Sequence, residues 1–236
     1  MRPLALVAGR PFVPRTYSEN VTDELFARPR AHIAPGAVHI PGWLDLDAQR
    51  RLLASCREWA RPPAGLRTVT MPRGGQMSVR TVCLGWHWFP YGYARTVVDG
   101  DRAPVKPFPD RLGELAAAAV AEAYGYPCTD PYDTALVNFY TAGASMGLHR
   151  DSDERCDAPV VSLSLGDTCV FRFGNTRTRT RPWADVELRS GDLFVFGGAS
   201  RLAYHGVPRT LPGTSPMALG LTGRLNITLR ASGLDG

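Results

Sequence analysis

Two histidines and an aspartate are the residues of this chain whose types and spacing invite chemistry. His149 and Asp151 stand two apart in Leu148-His149-Arg150-Asp151, and His205 lies far downstream in Ala203-Tyr204-His205-Gly206-Val207. Residues two apart in a strand point to the same side, so an imidazole and a carboxylate would converge on one point. Two histidines and one carboxylate on one face of a metal are the ligand set of non-haem Fe(II) oxygenases, with positions left open for a cosubstrate and dioxygen. Taken bare the pattern is weak, because His-x-Asp pairs arise often by chance and a lone histidine is usually structural.

The flanks sharpen it. Asn138-Phe139-Tyr140 stands upstream, and Arg224-Leu225-Asn226-Ile227-Thr228-Leu229-Arg230 stands near the C-terminus. In that last run Arg224, Asn226, Thr228 and Arg230 alternate with Leu225, Ile227 and Leu229, so one face packs and the other is polar. Two arginines bracketing an asparagine suit a small dicarboxylate, since arginine recognises carboxylate with a planar, bidentate fork.

Together, the Asn138–Glu154 segment, the Ser200–Gly206 stretch and the Arg224–Arg230 run resemble the AlkB family of Fe(II)- and 2-oxoglutarate-dependent dioxygenases, in its bacterial type. The resemblance spans roughly residues 65–233. It implies a mainly β (α+β) fold, a double-stranded β-helix or jelly roll buttressed by helices. It implies Fe(II) held by His149, Asp151 and His205, with 2-oxoglutarate and O2 as cosubstrates. Asn138, Tyr140, Arg224, Asn226 and Arg230 match the 2-oxoglutarate set, with Arg224 and Tyr140 at the distal carboxylate and Arg230 and Asn138 near the chelating end. The implied reaction couples 2-oxoglutarate decarboxylation to hydroxylation of an N-methyl group on an alkylated base of the 1-methyladenine or 3-methylcytosine type, with release of formaldehyde. The implied partner is alkylated DNA, single-stranded or with its base flipped out. RNA, tRNA included, or a non-nucleic-acid substrate is the alternative.

The same resemblance assigns substrate contacts. Trp86, in Leu84-Gly85-Trp86, matches a tryptophan that stacks on the base, with His149 on the other side. Tyr93 matches a substrate-contacting tyrosine, and Asp153 a carboxylate that reads an exocyclic amine. Met71–Ser78 resembles a lid turn. Arg172, Arg177, Arg179 and Arg181 fall around a turn near the expected substrate strand, which makes Arg177 a phosphate-contact candidate. The chain departs from the bacterial pattern after Trp86, where His87-Trp88-Phe89-Pro90-Tyr91 crowds the loop with aromatics.

Positioning these groups requires a β core. Ala135–Tyr140, Val160–Leu165, Cys169–Phe173, Val186–Leu188, Leu193–Phe196, Met217–Leu221 and Leu225–Leu229 are short apolar runs broken by turn residues, and all read as strands. Helical spacing over 45–60 and 110–124, with Asp45 or Asp47 and then Asp110 as N-caps and Gly125 as a C-cap, gives two buttressing helices. Residues 1–35 read as an arm and 36–236 as one domain, with a lid at about 65–105 and a jelly-roll core at about 134–233.

Composition sets the outer bounds. The chain has 236 residues, is 44% hydrophobic and 21% charged, and carries a net charge of +5 with Lys106 as its only lysine. That is globular composition, which excludes wholesale disorder. A modest positive excess permits a polyanionic partner without requiring one. Five scattered cysteines with no Cys-x-x-Cys pair argue against a disulfide framework or structural zinc. Leu4–Ala8 is too short for a signal-peptide core, and no apolar run is long enough for a membrane span. A cytoplasmic monomer is the expectation.

Overall fold

Residues 27–234 are described by a computed structural model of the chain. Most of the arm expected over 1–35 lies outside the described residues. Its last part is a strand: β1 (Ala31–Ala34) pairs antiparallel with β2 (Ala37–Ile40). Gly36 turns between them at φ 78°, and a Cβ there would sit 2.3 Å from the Gly197 carbonyl oxygen, so only glycine fits.

Helix α1 (Leu46–Trp59) follows, capped by Asp45, whose carboxylate accepts from the Ala48 N–H at 2.7 Å. Then come β3 (Arg67–Thr70), β4 (Gln76–Leu84), β5 (His87–Phe89), β6 (Gly92–Ala94) and α2 (Asp110–Tyr124). Pro109, with no side-chain cap bond, holds the N-cap position of α2 that was expected of Asp110. Gly125 ends the helix in the left-handed region as expected. The rest is strand: β7 (Thr134–Tyr140), β8 (Met146–His149), β9 (Val160–Gly166), β10 (Thr168–Phe173), β11 (Ala184–Leu188), β12 (Leu193–Phe196), β13 (His205–Leu211) and β14 (Arg224–Arg230).

Two antiparallel sheets result, in the orders β1-β2-β12-β9-β14-β7-β4-β3 and β11-β10-β13-β8, with β5 and β6 as a separate ribbon. They lie face to face. Phe171 and Phe173 of the smaller sheet interdigitate with Phe194 and Phe196 of the larger, at ring separations of 4.9 Å for Phe171–Phe194 and 5.5 Å for Phe173–Phe196. The other face of the large sheet packs on both helices. Val137, Leu163, Leu165, Val195, Ile227 and Leu229 meet Leu52, Leu53, Leu112, Leu115 and Val120 in one buried cluster. This is the jelly roll expected from the run of short strands, and strand alternation gives each inner strand a helix-facing apolar set and an inward set free for chemistry.

Two readings of the sequence are corrected. Met217–Leu221 is not a strand; Met217–Leu219 is one 3-10 turn between Pro216 and a left-handed Gly220. It is tied to α1 by Arg50 donating to the Ala218 carbonyl and Arg57 to that of Gly220. Short apolar runs are ambiguous between strand and helix, and here the flanking Pro and Gly decide. Conversely β13 is a strand absent from the runs read in the sequence, and it carries Pro208. The ladder accommodates this with register shifts opposite both neighbours, between Val170 and Arg172 and between His205 and Val207.

A buried charge cluster fastens β2 and the loop after it to β12. Asp192 is fully buried and accepts from both Arg28 Nη atoms, His39 Nε2, Gly42 N and Arg189 N, at 2.6–3.0 Å. Burial alone would raise its carboxyl, but the His39 and Arg28 bonds and the Arg189 amide hold it below the usual range. Because the folded value is depressed, its stabilisation is full above the unfolded value near about 4 and is lost as pH falls through the folded value. Asp192→Asn is expected to cost about 3 kcal/mol at neutral pH, with the gap to wild type narrowing below about pH 4. Denaturant titrations at pH 7 and pH 3 check both; equal stability at pH 7 would refute the assignment.

Candidate active site

His149 and His205 are brought together by the ladder of the small sheet. They are direct cross-strand partners on β8 and β13, with ring centroids 4.5 Å apart. Asp151 is placed differently from the sequence reading. Strand β8 ends at His149, so the two-residue alternation does not aim Asp151. It lies just past the strand and is held by Arg230, whose Nη2 is 2.8 Å from Asp151 Oδ1.

Both imidazoles are fixed by their inner nitrogens. His149 Nδ1 donates to the Gly147 carbonyl at 2.9 Å and His205 Nδ1 to that of Ala203 at 3.0 Å. A carbonyl can only accept, so each Nδ1 carries the proton and each Nε2 presents a lone pair. Those Nε2 atoms lie 3.8 Å from Asp151 Oδ1 (His149) and Oδ2 (His205), too far for hydrogen bonds. Asp151 Oδ2 is buried without any hydrogen-bond partner among the described residues. The ligand atoms of all three residues fall within 4.8 Å of one another. Three inward electron pairs around a common gap fit a divalent transition metal, and the backbone bonds behind the histidines are the support such ligands ordinarily have.

Electrostatics agree. Burial pulls His205 down to about 4, so it stays neutral and able to ligate. Burial would raise the Asp151 carboxyl, but the Arg230 guanidinium holds it well below the usual range, so it stays anionic.

The 2-oxoglutarate candidates lie on the large sheet, opposite one another. Arg224 pairs with Tyr140 and Asn226 with Asn138 across β14 and β7. Asn138 Nδ2 donates to Asn226 Oδ1 at 3.3 Å, Thr81 donates to Asn138 at 2.9 Å, and Asn226 donates to Ser162 at 2.8 Å. Arg224 is 1% exposed, yet among the described residues it donates only to Ser164 Oγ at 3.0 Å and the Asp167 carbonyl at 3.3 Å. Among the same residues its Nε has no partner, and the Tyr140 hydroxyl has only Met146 Sδ at 3.7 Å. Arg230 Nη1 also donates to the buried Glu154 at 2.9 Å and to the Tyr93 hydroxyl at 3.1 Å.

One cavity of about 480 Å³ joins these groups, a size that ordinarily holds a small ligand. The triad, Asn138, Tyr140, Arg224, Asn226 and Arg230 all line it.

Residues 36–230 match the family model of the 2OG-Fe(II) oxygenase superfamily. The chain is 40% identical over 213 residues to an alpha-ketoglutarate-dependent dioxygenase AlkB homolog of Caulobacter vibrioides, covering 88% of this chain and 92% of that protein. The chain belongs to the AlkB family.

A second relative, the DNA N(6)-methyladenine demethylase ALKBH1D of Arabidopsis thaliana, is 33% identical over 223 residues, covering 84% of this chain and half of that protein. The solved structure of OsALKBH1 superposes with a TM-score of 0.75 at 33% identity, covering 85% of this chain and all of that one. As an AlkB-family Fe(II)- and 2-oxoglutarate-dependent dioxygenase, the protein uses Fe(II), 2-oxoglutarate and O2, and the His149-Asp151-His205 group is the site present for the metal.

The substrate-contact candidates are placed unevenly in this AlkB-family fold. Asp153 lines the cavity. Trp86 does not: it is 8% exposed, its indole N–H donates to Asp133 at 3.1 Å, and the Arg95 guanidinium covers its ring at 3.4 Å. Trp88, from the aromatic crowd after Trp86, lines the cavity instead, with Pro90, Tyr91, Met71 and Met77. Tyr93 is turned toward Glu154 and Arg230 rather than into the cavity. Arg177 is exposed on the β10–β11 loop outside it; Arg179 lines the mouth. Arg172 is held by Asp185 at 2.7 and 2.8 Å.

Glu154 was missed as a site residue. It stands in Asp151-Ser152-Asp153-Glu154, and acidic runs normally mark solvated loops. Its partners Arg201, Arg230 and Tyr93 are distant in sequence, so nothing local shows that it is buried.

Proposed function

We propose that this protein is an oxidative demethylase of N-alkylated bases in DNA, acting on a base presented from a single strand or flipped from a duplex. The observation that carries this is Arg224, a buried cation facing the cavity with no carboxylate bonded to it among the described residues. A buried cation without a counter-charge is costly, so an anion that enters the cavity completes it. The dianionic cosubstrate fits, one carboxylate on Arg224 and the Tyr140 hydroxyl, the other end near the metal ligands beside Asn138 and Arg230.

When bound, Fe(II) with 2-oxoglutarate and O2 would supply the oxidising power for removing the N-methyl group of the base as formaldehyde. The chain's own residues bind, orient and exclude. His149, Asp151 and His205 would hold the metal, their protonation fixed by Gly147, Ala203 and Arg230. The Phe171–Phe196 layer behind His205 keeps bulk water from that side. Arg150 and Arg179, each beside the Tyr204 ring, combine positive charge with flat aromatic surface at the mouth. Such a rim suits a phosphate backbone bearing a base. The name of the Arabidopsis relative supports a DNA substrate, whereas that of a Schizosaccharomyces pombe relative at 32% identity, a tRNA demethylase, supports RNA.

The test incubates protein, Fe(II), ascorbate and 2-oxoglutarate with methylated single-stranded DNA, duplex DNA and RNA, following formaldehyde and loss of the methyl mass. Turnover on methylated DNA is expected. Turnover on RNA alone would reassign the substrate, and none on any strand would refute a nucleic-acid demethylase. No helix among the described residues is long and apolar enough to cross a membrane.

A further inference from the structure

We infer that the Met146 thioether is an oxidation site of the cosubstrate pocket, and that its sulfoxide takes the Tyr140 hydroxyl that 2-oxoglutarate needs. The inference rests on the proposed function, which puts one carboxylate of 2-oxoglutarate on Arg224 and Tyr140, and adds to it a modification that competes for that place. Tyr140 is 2% exposed, and burial pushes its phenol up, so the hydroxyl stays protonated and must donate. Among the described residues its one acceptor is Met146 Sδ at 3.7 Å. A thioether is a weak acceptor, so this buried donor is left nearly unsatisfied until a better partner arrives. A carboxylate is one such partner, and an oxygen fixed to the same sulfur is another. From a sulfur at 3.7 Å, that oxygen can reach the ordinary O–H···O separation of about 2.8 Å.

The sulfur is both held and reachable. Ser145, just before Met146, is clasped to β4: its N–H donates to Ser78 Oγ at 3.1 Å, and its carbonyl accepts from that hydroxyl at 2.9 Å. Met146 itself pairs with Val207 on β13, and a Cβ on Gly206 would come within 2.7 Å of the Met146 carbonyl oxygen. The backbone is thus fixed from both sides. Met146 is half-buried and lines the cavity with Tyr140 and Arg224, so a small oxidant that enters the cavity meets it. Met71 and Met77 also line the cavity, but neither sulfur bonds a cosubstrate group among the described residues, and Met217, 98% exposed, lies outside it. The oxidant is hydrogen peroxide. The sulfur lone pair attacks one peroxide oxygen, and the S–O bond forms as the O–O bond breaks. The proton on the transferred oxygen passes to the departing hydroxide, which leaves as water. Sulfur loses two electrons and the peroxide gains them. The product is a polar, chiral side chain in place of a flexible apolar one, and methionine sulfoxide reductases reverse it. In that reversal a dithiol becomes a disulfide and the oxygen leaves as water.

The experiment treats the full chain, loaded with Mn(II), with hydrogen peroxide. Peptide mass spectrometry locates the sulfoxides, and calorimetry measures 2-oxoglutarate affinity before and after. Oxidised wild type is expected to carry a sulfoxide at Met146 and to bind 2-oxoglutarate about tenfold more weakly, the loss of one hydrogen bond to a charged group. Methionine sulfoxide reductase with dithiothreitol should restore the affinity. Met146→Leu, which keeps the apolar bulk without the sulfur, should show one affinity before and after treatment. The reductase arm needs no variant, so the test stands even if Met146→Leu fails to fold. Met146 left intact where Met217 is fully oxidised, a Met146 sulfoxide with unchanged affinity, or an equal loss in Met146→Leu would each overturn the inference. Tyr140→Phe separates it from the reading beneath it. Untreated, that variant should bind 2-oxoglutarate more weakly than wild type, and wild-type affinity would overturn both the placement of the carboxylate and the inference. A weakened Tyr140→Phe beside an oxidised wild type of full affinity would overturn the inference alone.

Discussion

His149→Ala is expected to abolish metal-dependent turnover while leaving the fold intact. The ring lies at the end of β8 with its side chain 37% exposed, and its Nδ1 bond is to a carbonyl two residues away. Removing it should therefore change stability by no more than about 0.5 kcal/mol, the usual range for a surface position. Its Nε2 is one of three electron pairs around the common gap. Loss of a supporting bond behind a ligand already costs roughly 10–100-fold in metal affinity. Loss of the ligand itself should cost more. Mn(II) binding followed by electron paramagnetic resonance, formaldehyde release and a thermal melt separate the effects. Wild-type metal affinity in the alanine variant would contradict the ligand assignment.

Arg230→Lys should damage both metal site and fold, despite conserving charge. The guanidinium bridges Asp151 at 2.8 Å and Glu154 at 2.9 Å with separate nitrogens. Burial opposes its charge, yet Asp151, Tyr93 and Glu154 keep it firmly protonated. An ammonium is a point donor on a flexible stem and cannot span both carboxylates in one geometry. One of two buried anions is then left short of a partner, at a cost of about 3 kcal/mol. Because Asp151 lies beyond the end of β8, Arg230 is what aims it, so metal affinity should fall roughly 10–100-fold as for other supporting residues. Denaturant unfolding and Mn(II) titration check the two effects. A lysine variant with wild-type affinity would show that Asp151 is positioned by its own backbone.

Legibility in the sequence followed the range of the interactions concerned. Period-two alternation in Arg224–Arg230 and the matching run in Ala135–Tyr140 show which side chains share a face, because pleating is a local property. The structure then sets those faces opposite one another, with Arg224 on Tyr140 and Asn226 on Asn138. Helix limits were readable for the same reason, from Asp45 and Gly125. By contrast, β13 was absent from the runs read as strands; Pro208 is a local signal against a strand, and two-sided pairing accommodates it with register shifts.

The sequence by itself determined the ligand types, the alternating polar faces and the family, because these are carried by residue identity and short spacing. Only the tertiary structure decided that Asp151 is aimed by Arg230, that Glu154 is buried, and that Trp88 rather than Trp86 faces the cavity. Each of those depends on partners 9 to 79 positions away: Arg230 beyond Asp151, Arg201 and Arg230 on Glu154, Arg95 over Trp86. A tryptophan is equally apolar on either face of a ribbon. What sends one to the core and its neighbour to the cavity is the occupancy of the surrounding space.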